Sequence, residues 1–318
     1  MNTIAVRIVS KTQEAQDIAG FELASEDGQA LPPFSAGAHI DVHIADGLVR
    51  QYSLCNDPAE RHRYRIAVLR DPASRGGSQA AHERLSEGDV IQIGAPRNHF
   101  ELGPADDYLL LAGGIGVTPI LCMAERLAKT GARFAMHYCA RSPERAAFLD
   151  RIAGAPFRDR VHLHFDSGAA GQKFDMAALL AQAGAGTHLY VCGPQGFIDH
   201  VAGSARGAGW AEHRIHFEYF GAAPQDASGD AAFEVKLASS GQTYVIPAGK
   251  SVCNALLEHG IDIPISCEQG VCGTCITRVL EGTPDHRDLY FTDEEKAAND
   301  QFTPCCSRAK TGLLVLDL

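Results

Sequence analysis

The chain lacks any uninterrupted apolar stretch of about 20 residues, the length a membrane helix needs. Its most apolar run, YLLLAGGIGVTPILCM (108–123), is broken by three glycines and a proline. The opening MNTIAVRIVSKTQ has no apolar core, so no secretory signal is expected. Basic residues are in deficit: 28 Lys and Arg stand against 39 Asp and Glu, a formal net charge of -11. Phosphate backbones bind basic faces, which argues against nucleic acid as a partner. No internal repeat or low-complexity tract occurs. Cys55, Cys122, Cys139, Cys192 and Cys253 are scattered singly, most among apolar neighbours. No disulfide framework is indicated, and a reducing cytoplasm is expected, with no membrane partner.

What is present is concentrated near the C-terminus. Cys267, Cys272 and Cys275 lie in SCEQGVCGTC, and Cys305 follows with 29 residues between. C-x4-C-x2-C with a distant fourth cysteine is the plant-type 2Fe–2S spacing. A loop that supplies three thiolates must curl around the cluster, and Gly270 and Gly273 permit that curl. The alternatives are a zinc site or buried thiols. Zinc sites usually pair two short cysteine or histidine units, which a lone triplet with one remote partner fits poorly. Cys306 competes with Cys305 for the fourth place. The segment 232–318 resembles a plant-type ferredoxin of the β-grasp kind. In such domains the closing stretch reads C-x-S-R-A, which matches Cys305-Cys306-Ser307-Arg308-Ala309 with Cys305 as ligand. Cys306 is then expected to be a small core residue.

A length of 318 residues suggests two domains or three small ones. Residues 1–103 read as short strands with turns and one helix after Gly77, the pattern of an antiparallel β-barrel. Residues 104–220 alternate strand and helix, predicting a parallel sheet covered by helices. Residues 221–231, GAAPQDASGDA, are small and polar and form a linker. Residues 232–318 form the ferredoxin-like part. Its acidic residues, among them Asp288, Asp293, Glu294 and Glu295, are either a solvated surface or a docking face for a partner.

Arg50-Gln51-Tyr52-Ser53-Leu54 suits a flavin. Arginine clamps phosphate, tyrosine offers a flat face and a hydroxyl, and serine can hydrogen-bond near N5. Arg75-Gly76-Gly77-Ser78 follows, opening a predicted helix whose N-terminus favours an anion, with Ser78 able to cap. An exposed strand and a simple N-cap are the plainer readings of each alone. Gly113-Gly114-Ile115-Gly116-Val117-Thr118-Pro119 joins a strand to a helix. It is similar to the G-G-x-G-x-T-P variant of ferredoxin–NADP reductase-like domains. The glycines let backbone approach a pyrophosphate, Thr118 can cap, and Pro119 suits the first turn. The alternative is a tight βα turn.

Barrel with R-x-Y-S, then a β/α domain, then a ferredoxin, resembles the phthalate dioxygenase reductase and vanillate demethylase reductase family over essentially the whole chain. The resemblance implies FMN, held by Arg50, Tyr52, Ser53, Leu54, Gly76, Gly77 and Ser78. It implies that Cys192-Gly193-Pro194 lines the nicotinamide pocket, with Cys192 positioning the ring rather than attacking it. Phe220 is then a flavin neighbour or a core aromatic. NADH is favoured over NADPH, although Arg141-Ser142 could meet a 2′-phosphate and no acidic marker of NADH is evident. The implied activity is electron transfer from NADH through FMN and a 2Fe–2S cluster to a Rieske-type oxygenase or O-demethylase. Plant-type clusters lie near about −400 mV and Rieske centres at about −150 mV or above, so the last step is downhill. The rivals are a reductase for a haem or di-iron monooxygenase, a redox sensor and a zinc module. No acid, base or nucleophile is required. His137 and His164 are expected to be core or surface residues.

Overall fold

The computed structural model describes residues 3–72, 76–169, 172–221 and 227–318. Arg75 and linker residues 222–226 lie outside the described residues. The chain divides into two compact units, Met1–Glu218 and Tyr219–Leu318.

The first unit begins with β1 (Thr3–Ala15), β2 (Ile18–Ser25), β3 (His39–Ala45), β4 (Leu48–Ser53), β5 (Tyr64–Leu69), α1 (Gly77–Arg84) and β6 (Val90–Gly94). They form an antiparallel sheet in the order β4-β3-β6-β1-β2-β5. Alternation sets the buried face: Val6 and Ile8 point inward around an exposed Arg7, as do Ile91 and Ile93 around an exposed Gln92. Just past β4, the Cys55 N–H donates to the Arg65 carbonyl on β5 at 2.9 Å. That bond draws the two edge strands together and curls the sheet into a barrel, which protects its edges.

The same unit continues with β7 (Asp107–Gly113), α2 (Val117–Thr130), β8 (Phe134–Ala140), α3 (Leu149–Ala153), β9 (Val161–Phe165), α4 (Met176–Gln182), β10 (Thr187–Cys192), α5 (Gln195–Gly207) and β11 (Ile215–Glu218). Its sheet is parallel, in the order β11-β10-β7-β8-β9. The continuous apolar run of β7 is explained by burial on both faces. One core serves both sheets: Ala36, Cys55 and Phe100 cluster with Leu121 and Met123 of α2.

Two elements differ from expectation. The stretch RAAFLDRIAG (145–154), which takes a helix place in the strand–helix alternation expected over 104–220, is α-helical only over α3, because Phe148 takes a φ of 64° and interrupts it. Burial of the Phe148 ring against the core offsets that unfavourable backbone. Helix α4 has no counterpart in the sequence reading. Its signal is Asp175, whose side chain accepts the Ala178 N–H at 3.0 Å.

The second unit contains β12 (Phe233–Leu237), β13 (Thr243–Ile246), α6 (Val252–Leu257), β14 (Thr277–Glu281), β15 (Pro284–Asp285), α7 (Asp293–Ala298), β16 (Gln301–Phe302), β17 (Arg308–Ala309) and β18 (Leu313–Leu316). The main sheet runs β13-β12-β18-β14-β16, with β12 and β18 parallel. Val252 and Leu256 of α6 pack into its core beside Phe233 and Leu314, giving the β-grasp arrangement. Helix α7 starts with a reciprocal Thr292–Glu295 capping box. No helix among the described residues is long and apolar enough to cross a membrane.

Candidate functional site

The cluster loop lies between α6 and β14. Cys267 is in hydrogen-bond contact with Cys272 and Cys305, and Cys275 with Cys305. All four are buried. The Gln269 N–H points at Cys267 Sγ at 3.4 Å, and Thr274 Oγ1 lies 3.2 Å from Cys272 Sγ. Glu268, Gly270 and Gly273 all have positive φ, which turns successive N–H groups inward. Neighbouring thiols push Cys272 (Cys267 foremost) and Cys275 (Cys253 foremost) well above the usual thiol range. Such a crowd ionises together only around a cationic centre, so the donor set fits an iron–sulfur cluster. Among the described residues no three His, Cys, Asp or Glu form a cage for a single ion. Cys306 is half-buried at the edge of this core, 3.3 Å from Thr303 Oγ1. His137 is buried and His164 half-buried, and His137 Nδ1 and His164 Nε2 lie 2.9 Å apart.

In the first unit, Arg50, Tyr52 and Ser53 lie on β4, and Leu54 is buried just beyond it. The start of α1 comes up against Arg50. A Cβ on Gly77 would stand 2.6 Å from Arg50 Nε and 2.7 Å from its Cγ, so any larger residue here would push the Arg50 side chain away from the helix start. The two sequence-distant flavin elements therefore meet. Gly76 is the N-cap of α1, in the left-handed region, and it offers no side chain to cap the helix. Ser78, expected to cap, accepts the Asp71 N–H at 3.1 Å instead. A helix start with glycine at its N-cap beside a guanidinium fits a phosphate.

Gly113, Gly114 and Gly116 form the turn from β7 into α2, with Pro119 in the first helical turn. Gly116 is packed on the Cys192–Gly193 peptide, where a Cβ would overlap the Cys192 carbonyl. Gly193 and Pro194 border Gly113 in turn. The Gly-rich loop and the C-G-P turn are thus neighbours, at the carboxyl ends of adjacent strands, where ligands of such sheets bind. Thr118, expected to cap, is buried and donates to the Ile115 carbonyl at 3.0 Å. Cys192 is fully buried, and burial pushes its thiol well above the usual range. Burial of this kind disfavours the thiolate, the reactive form of a cysteine. Phe220 belongs to the second unit, where it is 41% exposed.

Two residues escaped the sequence reading. Glu218 ends β11 in register with Cys192 on β10. Its carboxyl accepts a hydrogen bond from Ser53 Oγ at 3.5 Å. Burial pushes it up to about 8, with the Ser53 hydroxyl pulling the other way. Its only sequence signal is a charge closing an apolar strand, HFE. The other is Asp166, just past β9. Its N–H bonds to the Ala140 carbonyl and that of Ser167 to the Arg141 carbonyl, both at 3.1 Å. Asp166, which follows β9, and Arg141, which follows β8, are therefore neighbours along the backbone, at the same end of the sheet as the Gly-rich loop.

Residues 235–310 match the 2Fe-2S iron-sulfur cluster binding domain, and residues 98–215 match the dimethylamine monooxygenase subunit DmmA-like N-terminal domain. The chain is 59% identical over 313 residues to a vanillate O-demethylase oxidoreductase of Pseudomonas putida, covering 98% of each. It superimposes on the structure of phthalate dioxygenase reductase with a TM-score of 0.80 and 41% identity, covering 100% of this chain and 98% of that one. An intact type IV self-sufficient cytochrome P450 monooxygenase matches with a TM-score of 0.85 and 38% identity, over 99% of this chain and 41% of that one. With its cluster domain, its order of folds and end-to-end identity to both, the chain belongs to the family of vanillate O-demethylase oxidoreductases and phthalate dioxygenase reductases.

Proposed function

We propose that this chain is the reductase component of a Rieske-type aromatic oxygenase or O-demethylase, taking electrons from NADH. Residues 1–103 bind FMN, 104–220 bind NADH, 221–231 link, and 232–318 carry the cluster. One observation carries the reading: Ser53 of the barrel stands against Glu218, which pairs with Cys192 beside the Gly-rich loop. A flavin edge and a nicotinamide held by these two elements share one small space. Bound FMN would take up a hydride and pass electrons singly to a 2Fe–2S centre, chemistry the protein itself lacks.

The side chains supply the rest. Arg50 and the α1 start hold the phosphate, and Tyr52 and Ser53 orient the ring. Buried Cys192 shapes the nicotinamide side without reacting. Glu218, uncharged below about pH 8, keeps a proton beside Ser53 without placing a charge there. Cys267, Cys272, Cys275 and Cys305 hold the irons. Cys305 is chosen over Cys306 because it touches both Cys267 and Cys275.

The relatives' names support an oxygenase as acceptor. The P450 match favours a second reading, a haem monooxygenase as acceptor. Anaerobic addition of NADH to this chain mixed with a purified vanillate O-demethylase oxygenase decides. Bleaching of the oxygenase's Rieske absorption at catalytic reductase levels is expected. Failure there, with prompt reduction of a P450, overturns the proposal in favour of the second.

A further inference from the structure

We propose that Asp288 is a positioning residue for the iron–sulfur centre, tying together the two chain segments that supply its thiols. The inference rests on the reading of the four cysteines as cluster ligands. Three come from the loop 267–275 and one from the turn at 305, and between them runs the strap 285–291.

Asp288 is 2% exposed. One carboxylate oxygen accepts the Tyr290 and Phe291 N–H groups at 3.2 and 2.9 Å, which folds the strap into a tight turn. That turn lies on the cluster loop: the Leu289 N–H donates to the Gly270 carbonyl at 3.0 Å. A Cβ on Gly270 would stand 2.8 Å from Asp288 Cβ, so the loop backbone seats directly on this residue. Two residues on, Tyr290 packs its ring on Gly273. The other carboxylate oxygen faces the fourth ligand's turn, accepting from Ser307 Oγ at 3.5 Å. Ser307 Oγ also accepts the Arg287 N–H and adjoins Thr303 Oγ1 at 3.0 Å, next to Cys305. Lys296 of α7 closes the strap from outside, its Nζ donating to the Asp288 carbonyl at 2.8 Å.

This carboxylate thus reaches both sources of ligand without itself being one. Polar partners that orient metal ligands change metal retention about 10- to 100-fold when removed. An alanine at 288 frees the strap and loosens loop against turn. An asparagine still accepts the two N–H groups through its oxygen.

The test uses the full-length holoprotein, with Asp293→Asn on the exposed start of α7 as control. Iron release to a chelator, the reduced electron-paramagnetic-resonance line shape, the cluster midpoint potential and the melting temperature are measured. Asp288→Ala is expected to load iron yet release it about tenfold faster, with altered line shape and potential. Asp288→Asn should restore most of the difference. Should Asp288→Ala not fold, Ser307→Ala must show the same changes to a smaller degree. A lower melting temperature with unchanged release, line shape and potential overturns the proposal. Wild-type protein without iron and sulfide overturns the cluster assignment itself, and this role with it.

Discussion

The Ser53 hydroxyl donates to the Glu218 carboxyl across 3.5 Å, joining the end of β4 in the barrel to the end of β11 in the parallel sheet. The carboxyl sits at about 8 in the fold against an ordinary 4.5, because burial disfavours its charge.

A raised acid binds a proton in the folded state that the unfolded chain has lost. Glu218 therefore stabilises fully below about pH 4.5, and its contribution declines as pH rises to about 8. The slope from one such group is at most about 1.4 kcal/mol per pH unit. Urea unfolding between pH 5 and 8 should show wild-type stability falling relative to Glu218→Gln. Parallel curves for the two proteins would refute the assignment.

The approach of Gly77 to Arg50 predicts a selective loss of flavin. In Gly77→Val the new carbons displace the guanidinium from the helix start. Arg50→Ala removes a charge-assisted hydrogen bond, about 1.5–3 kcal/mol, and should weaken FMN binding about 10- to 100-fold. Flavin fluorescence titration of the apoprotein measures both, with far-ultraviolet circular dichroism expected to stay unchanged.

Cys305 and Cys306 are adjacent in sequence and differ in surroundings. Cys305→Ser should yield protein with little acid-labile sulfide, whereas Cys306→Ser should keep two irons per chain. The opposite pattern would move the ligand assignment by one residue.

Asp166 stands where a 2′-phosphate would approach if the nucleotide runs from Cys192 across Gly113–Thr118 toward the ends of β8 and β9. Asp166→Ser should raise the ratio of kcat/KM for NADPH over NADH about tenfold, a change of about 1.4 kcal/mol. Arg141→Ala should leave NADH use nearly unaltered. Calorimetry with 5′-AMP and 2′-phospho-AMP gives the same comparison without turnover.

Much of the site was legible because its parts are local. C-x4-C-x2-C places three thiols within nine residues, and G-G-x-G-x-T-P marks a strand-to-helix turn. The hydroxyl roles were less legible. Ser78 and Thr118 have the right side chains to cap, but each bonds elsewhere once its loop is packed. The helix expected after β8 was shortened because burying Phe148 outweighed the helical preference of its neighbours.

The sequence by itself determined the order of folds, the ligand spacing and the phosphate-seeking glycines, since each depends on residues close enough along the chain to act through backbone geometry. The tertiary structure alone decided that Glu218 meets Ser53, that Asp166 and Arg141 are backbone neighbours, and that Asp288 bridges the loop and the Cys305 turn. Ser53 and Glu218 are 165 positions apart and Asp288 and Ser307 are 19 apart, and such meetings follow from strand order and packing, which no local pattern encodes.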